Sequence, residues 1–442
     1  MTRRKRARWL AKVRSLCAAQ TRRLHLSRTT PGILKGVLFL LVASACFSQT
    51  LTQRGFLETG LLVYPQTAVG DSGRAIAGAI LSYEASYKLS PSLIFSGEIE
   101  ARTDTHNEVE RDFGLSWWDR ERARPALAIR TLNVTYTKRL VTLELGKQFI
   151  RWGKADILNP TDRFAPRDYV DVVSNDFLAI TAGRLTVGDQ SNTIELVWVP
   201  RFTPSRIPLI GQRWVVLPPL PLNAHLPVLD AKAQFPGGPQ FGARWNHIGR
   251  SAEFSFSFYQ GYNHLPLVDP QLVSRHLQLY LQLRRLYPDM RMAGTDAAIP
   301  FRWFTVKTEA AYFTSSNKQA DDYLIYVTQL ERQKGEWLFV GGYAGQYVTE
   351  KRSVFDFAPD RGLTRAFLGR AGYTIDAGRS VALETAVRQN GKGVWAKLEY
   401  TQSFREHWRV TTGFTWIRGE PEDFLGQYHR NSFASLAIRY SF

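Results

Sequence analysis

Asn431-Ser-Phe-Ala-Ser-Leu-Ala-Ile-Arg-Tyr-Ser-Phe442 ends the chain. Leu436, Ile438, Tyr440 and Phe442 share one parity, and Ser435, Ala437, Arg439 and Ser441 share the other. Successive side chains of a β-strand point to opposite faces, so period two predicts a strand with one apolar and one small or polar face. The last residue is an aromatic ring on the apolar face. A soluble sandwich seldom ends that way, whereas a strand that closes a membrane barrel does.

Read upstream, the same alternation gives eighteen strands. Every second connection is very short: Ser90-Pro91, Lys138-Arg139, 188–190, 249–251, Pro300-Phe301, 332–334, 376–378 and 405–407. Between them lie 65–73, 105–124, 151–176, 200–239, 263–289, 315–320, 349–361 and 419–430, with 390–392 the one tight exception. Short turns on one rim and long loops on the other describe a transmembrane antiparallel β-barrel of about 18 strands, with periplasmic turns and extracellular loops. A soluble sandwich has no reason to sort its loops by parity. No run of 18 apolar residues suggests a spanning helix.

The faces agree. Leu93, Phe95, Ile99 and Ala101 alternate with Glu98, Glu100 and Arg102; Val141, Leu143 and Leu145 alternate with Thr142, Glu144 and Gly146. A charge on the lipid face costs about 2–4 kcal/mol at mid-membrane depth for Lys or Arg and less for the acids. Glu98, Arg102, Glu144, Lys307, Glu309, Lys397 and Glu399 are therefore expected to face a lumen. Their mixed signs suit pairing across adjacent strands better than a ladder selecting one type of ion. Tyr87, Tyr136 and Trp408 at the short-turn rim, and Trp198, Tyr312 and Trp416 at the other, suit two interfacial girdles.

The first 35 residues carry eleven Lys or Arg and no acid, followed by Gly36-Val-Leu-Phe-Leu-Leu-Val-Ala-Ser-Ala-Cys-Phe-Ser48. A basic region, a short apolar core and small residues describe a cleavable secretory signal over 1–48, with the barrel over 49–442. The formal charge of +18 less those eleven leaves +7, without a basic cluster, so nucleic acid is not an expected partner. Both cysteines, Cys17 and Cys46, lie in the leader. Cys46 raises lipid modification, but Ala43 stands where such a signal has Leu.

Two segments interrupt the alternation. Residues 200–239 are rich in proline and unsuited to a central strand. Residues 270–287 fit two templates, because Leu272, Leu279, Leu283 and Leu286 form a helical stripe while Leu277, Leu279, Leu281 and Leu283 alternate. Bounded by Pro270 and Pro288, the segment is expected to be a short amphipathic helix in a loop.

The densest chemistry lies in Gly146-Lys-Gln-Phe-Ile-Arg-Trp-Gly-Lys-Ala-Asp-Ile-Leu-Asn-Pro-Thr-Asp-Arg-Phe-Ala-Pro-Arg-Asp-Tyr169. Bases and acids are nearly balanced, and Asn159-Pro160-Thr161-Asp162 is a turn signal. Such a compact loop is expected either to fold inward as a constriction lining the solute path or to latch itself to the inner wall. Arg151, Trp152, Lys154, Asp156, Asn159, Asp162, Arg163, Arg167 and Asp168 are its candidate residues.

Trp-Gly-Lys-x-Asp-x-x-Asn-Pro-x-Asp-x-x-x-Pro-Arg-Asp at 152–168 resembles the signature of a bacterial outer-membrane barrel family of unknown function. So do Val199-Pro-Arg-Phe-Thr-Pro-Ser-Arg-Ile-Pro208 with Arg213-Trp214, Gly294-Thr-Asp296 with Glu309-Ala-Ala-Tyr312, and Phe424-Leu-Gly-Gln427. That family is porin-like and loosely related in type to the alginate exporter. Tyr440 and Phe442 resemble the recognition signal of barrel-assembly machinery. The resemblance implies an outer-membrane location in a Gram-negative-type envelope, lipid and assembly machinery as partners, and passage of a solute, lipid or polymer. A surface structural or adhesion barrel is the alternative. An outer-membrane enzyme would need Ser, His and a carboxylate converging at one rim, yet the histidines are scattered and no His-Glu-x-x-His occurs. No catalytic residue, cofactor or metal is expected.

Overall fold

A computed structural model describes residues 50–173, 176–216, 226–275, 278–353 and 358–442. The expected leader, and the prolines at 218, 219 and 221, lie outside the described residues.

Eighteen strands form the wall among the described residues. They are β1 (Leu51–Val63), β2 (Ala75–Ser90), β3 (Leu93–Asp104), β4 (Leu127–Lys138), β5 (Val141–Gln148) and β6 (Ile180–Gly188). Next come β7 (Asn192–Val199), β8 (Gln240–Ile248), β9 (Glu253–Tyr262), β10 (Asp289–Pro300), β11 (Thr305–Thr314) and β12 (Asp322–Lys334). The wall ends with β13 (Trp337–Glu350), β14 (Ala366–Asp376), β15 (Arg379–Arg388), β16 (Gly393–Phe404), β17 (Trp408–Gly419) and β18 (Phe433–Ser441). Each pairs antiparallel with its chain neighbours, and β18 pairs back onto β1. The sheet is a closed antiparallel barrel, which leaves no unpaired edge.

The seam rests on the terminal strand. Leu61 faces Leu436 and Leu57 faces Tyr440, while Gly55 and Phe442 exchange two backbone hydrogen bonds of 2.9 Å. A Cβ on Gly55 would lie 2.6 Å from the Phe442 ring, so glycine lets the ring close over the seam. Arg439, on the opposite parity, pairs inside with Glu58 at 2.7 Å.

Alternation sorts the two surfaces. Leu61, Phe95, Ile99, Leu145, Trp198, Phe256 and Leu398 are exposed on the outer wall. Inside, Arg54 pairs with Glu84, Arg184 with Glu144 and Arg370 with Glu384. Every short connection expected from the sequence joins two neighbouring strands, and every long one joins them at the other rim.

The described residues of 270–287 do not form a helix. Leu267–Arg275 and Gln278–Leu286 are antiparallel strands, joined in parallel on the second by Val228–Asp230. Alternation prevails over the helical stripe because the sheet covers Leu281 (2 % exposed) and Leu283, while Leu272, essential to the stripe, stays 61 % exposed. Pro270 is tolerated because its strand is an edge. Among the described residues the only helical turns are 3-10 turns at Pro359–Arg361 and Gly426–Tyr428.

Candidate functional site

The connection from β5 to β6 turns into the lumen and lies on the inner face of β7–β12. Its anchor is Glu309 on β11. That buried carboxylate accepts hydrogen bonds from the backbone N–H of Lys154 (3.2 Å), Ala155 (3.3 Å) and Thr161 (2.7 Å), and from the Thr161 hydroxyl (2.7 Å). The approach requires glycine at 153, where φ is +98° and a Cβ would lie 2.6 Å from the carboxylate. Lys154 reaches Glu253 at 3.1 Å and Asn246 at 3.3 Å. Asp156 binds Lys307 at 2.9 Å and accepts from the Gln329 amide.

Aromatic packing completes the seat. Trp152 donates its indole N–H to Glu195, and its ring meets Phe164 edge-on at 5.0 Å. Phe164 meets Tyr259 at 5.1 Å, and Gly242 leaves the space that Phe164 and Trp152 fill. Asp162 is buried under the loop against Arg151 and the Trp152 N–H (3.1 Å). Burial pushes its carboxyl above the ordinary range, against the pull of Arg151.

Beyond Pro166 the loop enters a knot of buried ions. Asp168 meets Arg124 at 3.0 Å and Arg206 at 3.3 Å. Arg124 also holds Glu108 (2.9 Å) and Asp171 (3.1 Å), and Arg206 holds Asp119 (2.7 Å), which Lys147 of β5 also binds. Burial works to raise the Asp168 carboxyl, but Arg124 and Arg206 overcome it and hold the group far below the usual range. Glu108 goes the other way: burial, then the Asp171 charge, push it up to about 8. The knot joins three long connections, those after β3, β5 and β7. The last of these continues to Arg213, which lies 3.8 Å over Tyr64 and donates to Asn431 at 3.1 Å.

Because the loop covers one wall only, a cavity of about 230 Å³ remains between it and β14–β17. Asp156, Asn159, Asp162, Arg163 and Arg167 line it from the loop. Arg370, Glu384, Trp395 and Lys397 line it from the wall, and Asp360, paired with Arg163 at 3.3 Å, lines it from the connection after β13. His264, also lining it, sits between the Thr203 and Arg163 carbonyls, and burial lowers its pKa to about 4.

The structure therefore divides the residues singled out in the sequence. Arg151, Trp152, Lys154 and Asp168 hold the loop rather than line the cavity. Lys307 and Glu309 belong to the loop's seat, and Lys397 lines the cavity beside its pair with Glu399 (2.8 Å). Glu98 accepts from Ser82, Arg102 pairs with Glu100, and Glu144 pairs with Arg184 on a different part of the wall. Asp360, Arg124 and Asp119 escaped the sequence reading, and Arg206 entered it only within the Val199–Pro208 signature, without a role. Their sign was visible there, but no spacing links them to the loop. Among the described residues no cluster of His, Cys, Asp and Glu could hold a metal ion.

No protein-family model matches the chain, and no curated protein matches it in sequence. Solved structures do resemble it. OccAB4 of Acinetobacter baumannii superposes with a TM-score of 0.53 at 10 % identity, covering 89 % of this chain and 99 % of that one. OccAB3 of the same organism gives 0.52 at 10 % identity, over 89 % and 99 %. A BenF-like porin from Pseudomonas fluorescens Pf-5 gives 0.52 at 9 % identity, over 90 % and 99 %. At such identities the likeness is one of architecture: this chain has the closed eighteen-stranded barrel fold of a porin.

Proposed function

We propose that the protein is a porin-like channel of a Gram-negative-type outer membrane, passing a small solute through the gap between its inward loop and β14–β17. The observation that carries this reading is the one-sided seat of the loop. It leaves a cavity of about 230 Å³ beside the far wall, lined by polar groups of both signs. The apolar outer wall between aromatic rims suits a bilayer, and the leader-like N-terminus suits export. Lipid and the assembly machinery are its expected partners.

Planar-bilayer recording tests the reading. The wild-type barrel should give discrete conductance steps, and deletion of Asp156–Arg167 should enlarge them while heat-modifiable migration persists. A folded barrel with no conductance in either form would refute passage and leave a structural or adhesion role. Assembly has a separate test. Deleting Phe442 removes the ring over Gly55 and should lower the yield of folded barrel; unchanged yield would refute an assembly role for that residue.

A further inference from the structure

The lumen's bases are largely matched by acids, but one spot on the outside is not. The short turn from β10 to β11 closes through the Phe301 N–H and the Phe304 carbonyl at 2.8 Å, leaving Arg302 and Trp303 at its tip. Phe301, Trp303 and Phe304 are all exposed, with Phe301 and Phe304 rings 5.2 Å apart. Beside them, the outward row of β12 runs Tyr326, Thr328, Leu330 and then Arg332 and Lys334. Arg302 and Arg332 converge on the same indole, at 5.3 Å and 5.6 Å from the Trp303 ring. On the far side stand Trp337, stacked 5.4 Å from Phe339, and Tyr373 at 4.6 Å from Trp337.

Two guanidinium groups beside one ring repel each other unless an anion lies between them. Among the described residues none does. Glu331 points to the lumen and is held by Lys307 at 2.6 Å. Glu336 follows in the next turn, but Arg302, Arg332 and Lys334 make no ion pair among the described residues. Depth identifies the missing anion. On a barrel's lipid face, Arg or Lys costs about 2–4 kcal/mol at the midplane and about 0–1 near the interface, so these cations mark headgroup level. Tryptophan rings belong to the same level. Other short turns lack the combination: Lys138-Arg139 has only Tyr136 nearby in sequence, and Arg405 is followed by Glu406.

We propose that the Phe301–Phe304 turn, with the adjoining ends of β12 and β13, binds the phosphate headgroup of an anionic glycerophospholipid in the periplasmic leaflet. The site rests on the membrane orientation proposed above. Arg302 and Arg332, both beside Trp303, grip the phosphate, Lys334 adds the third positive charge, and the rings of Trp337, Phe339 and Tyr373 pack the acyl chains.

The full barrel, reconstituted in phosphatidylcholine nanodiscs with and without phosphatidylglycerol, tests this by native mass spectrometry after mild delipidation. Wild type should retain phosphatidylglycerol in preference to phosphatidylcholine. An attraction of about 1 kcal/mol per surface cation corresponds to about five-fold, so R302Q, R332Q and K334Q should each cut the preference about five-fold. The triple variant should abolish it, while K138Q/R139Q should not change it. Inorganic phosphate should not displace the lipid, because it offers the rings no acyl chains; displacement would replace the lipid site by a simple anion site. Equal losses in both variant sets would reduce the effect to general surface charge and overturn the proposal. Insertion of wild type without any preference overturns the site alone, whereas failure to insert into either bilayer overturns the membrane reading with it. Each single variant is checked for heat-modifiable migration, so the graded series still decides the matter where the triple variant folds poorly.

Discussion

The two halves of the inward loop are held by different physics. From Arg151 to Ala165 it is pinned to the wall by one buried carboxylate, Glu309, by the pairs of Lys154 with Glu253 and of Asp156 with Lys307, and by rings seated over Gly242. From Arg167 onward it is tied to other loops through charged and ionisable groups that have left water together: Asp168, Arg124, Arg206, Asp119, Glu108 and Asp171. The first arrangement sets where the loop stands against the cavity. The second sets whether the loops stay joined. Changes in the first half should therefore register in conductance, and changes in the second in stability and pH response.

The largest effect belongs to the knot. Asp168→Ala strips Arg124 and Arg206 of a shared buried partner, and removing one member of a buried pair costs about 3–5 kcal/mol. The Tm should fall well below wild type, and a protease should reach the long loops sooner. An unchanged Tm would show that water replaces the carboxylate and that the knot is not a clamp.

Glu309→Ala comes next and should separate the halves. It leaves three backbone donors and a hydroxyl without their acceptor, at about 1–3 kcal/mol for a buried group left unsatisfied. The first half should lift from β11 and the conductance should grow, while the knot keeps the loops joined. Equal conductance in variant and wild type would show that the aromatic packing and the Lys154 and Asp156 pairs seat the loop without Glu309.

Acidity tests the knot more gently. A carboxyl raised to about 8 in the folded chain holds a proton that the unfolded chain gives up near its ordinary value of 4.5. Its stabilising contribution is fully present at acid pH and declines as pH rises from about 4.5 through 8. Asp168, held far below the usual range, contributes above its ordinary value of 3.8 and loses that contribution only in strong acid. Between pH 6 and 9 the Asp168 contribution is constant while the Glu108 contribution declines, so the Tm should fall over that window in wild type. Glu108→Gln should flatten the slope. A slope unchanged by Glu108→Gln would assign it to another group.

Legibility in the sequence follows the same division. Strand parity and loop lengths were readable because a sheet repeats every two residues, and the end of the chain repeats it at Leu436, Ile438, Tyr440 and Phe442. The inward loop was readable as a unit from its prolines, Trp152 and balanced charges. Its partners were not. Asp168 meets Arg124 and Arg206 across 44 and 38 residues, and pairing between loops has no period to betray it. Glu309 looked like one more lumen charge, because the cradle it fits is formed by the backbone of Lys154, Ala155 and Thr161. The 267–286 hairpin was misread because its leucines satisfy both periods, and only burial by a neighbouring strand distinguishes them.

The smallest effects should come from charges that face the opening. Arg167 lines the cavity from the loop, and Glu384 lines it from β15. Asp168, next in sequence to Arg167, is buried in the knot and should leave selectivity alone. Arg167→Ala removes a positive charge from the path, so cation preference should rise. Glu384→Gln removes a negative charge and should lower it, reinforced because Arg370 at 3.3 Å loses its partner and turns more fully toward the permeating ion. In a water-filled passage these charges act over a Debye length of ~8 Å at physiological salt and ~3 Å at 1 M, so both shifts in reversal potential should shrink as salt rises. Shifts of the same sign in the two variants would mean that neither side chain faces the ions, and would move the path away from the gap between loop and wall.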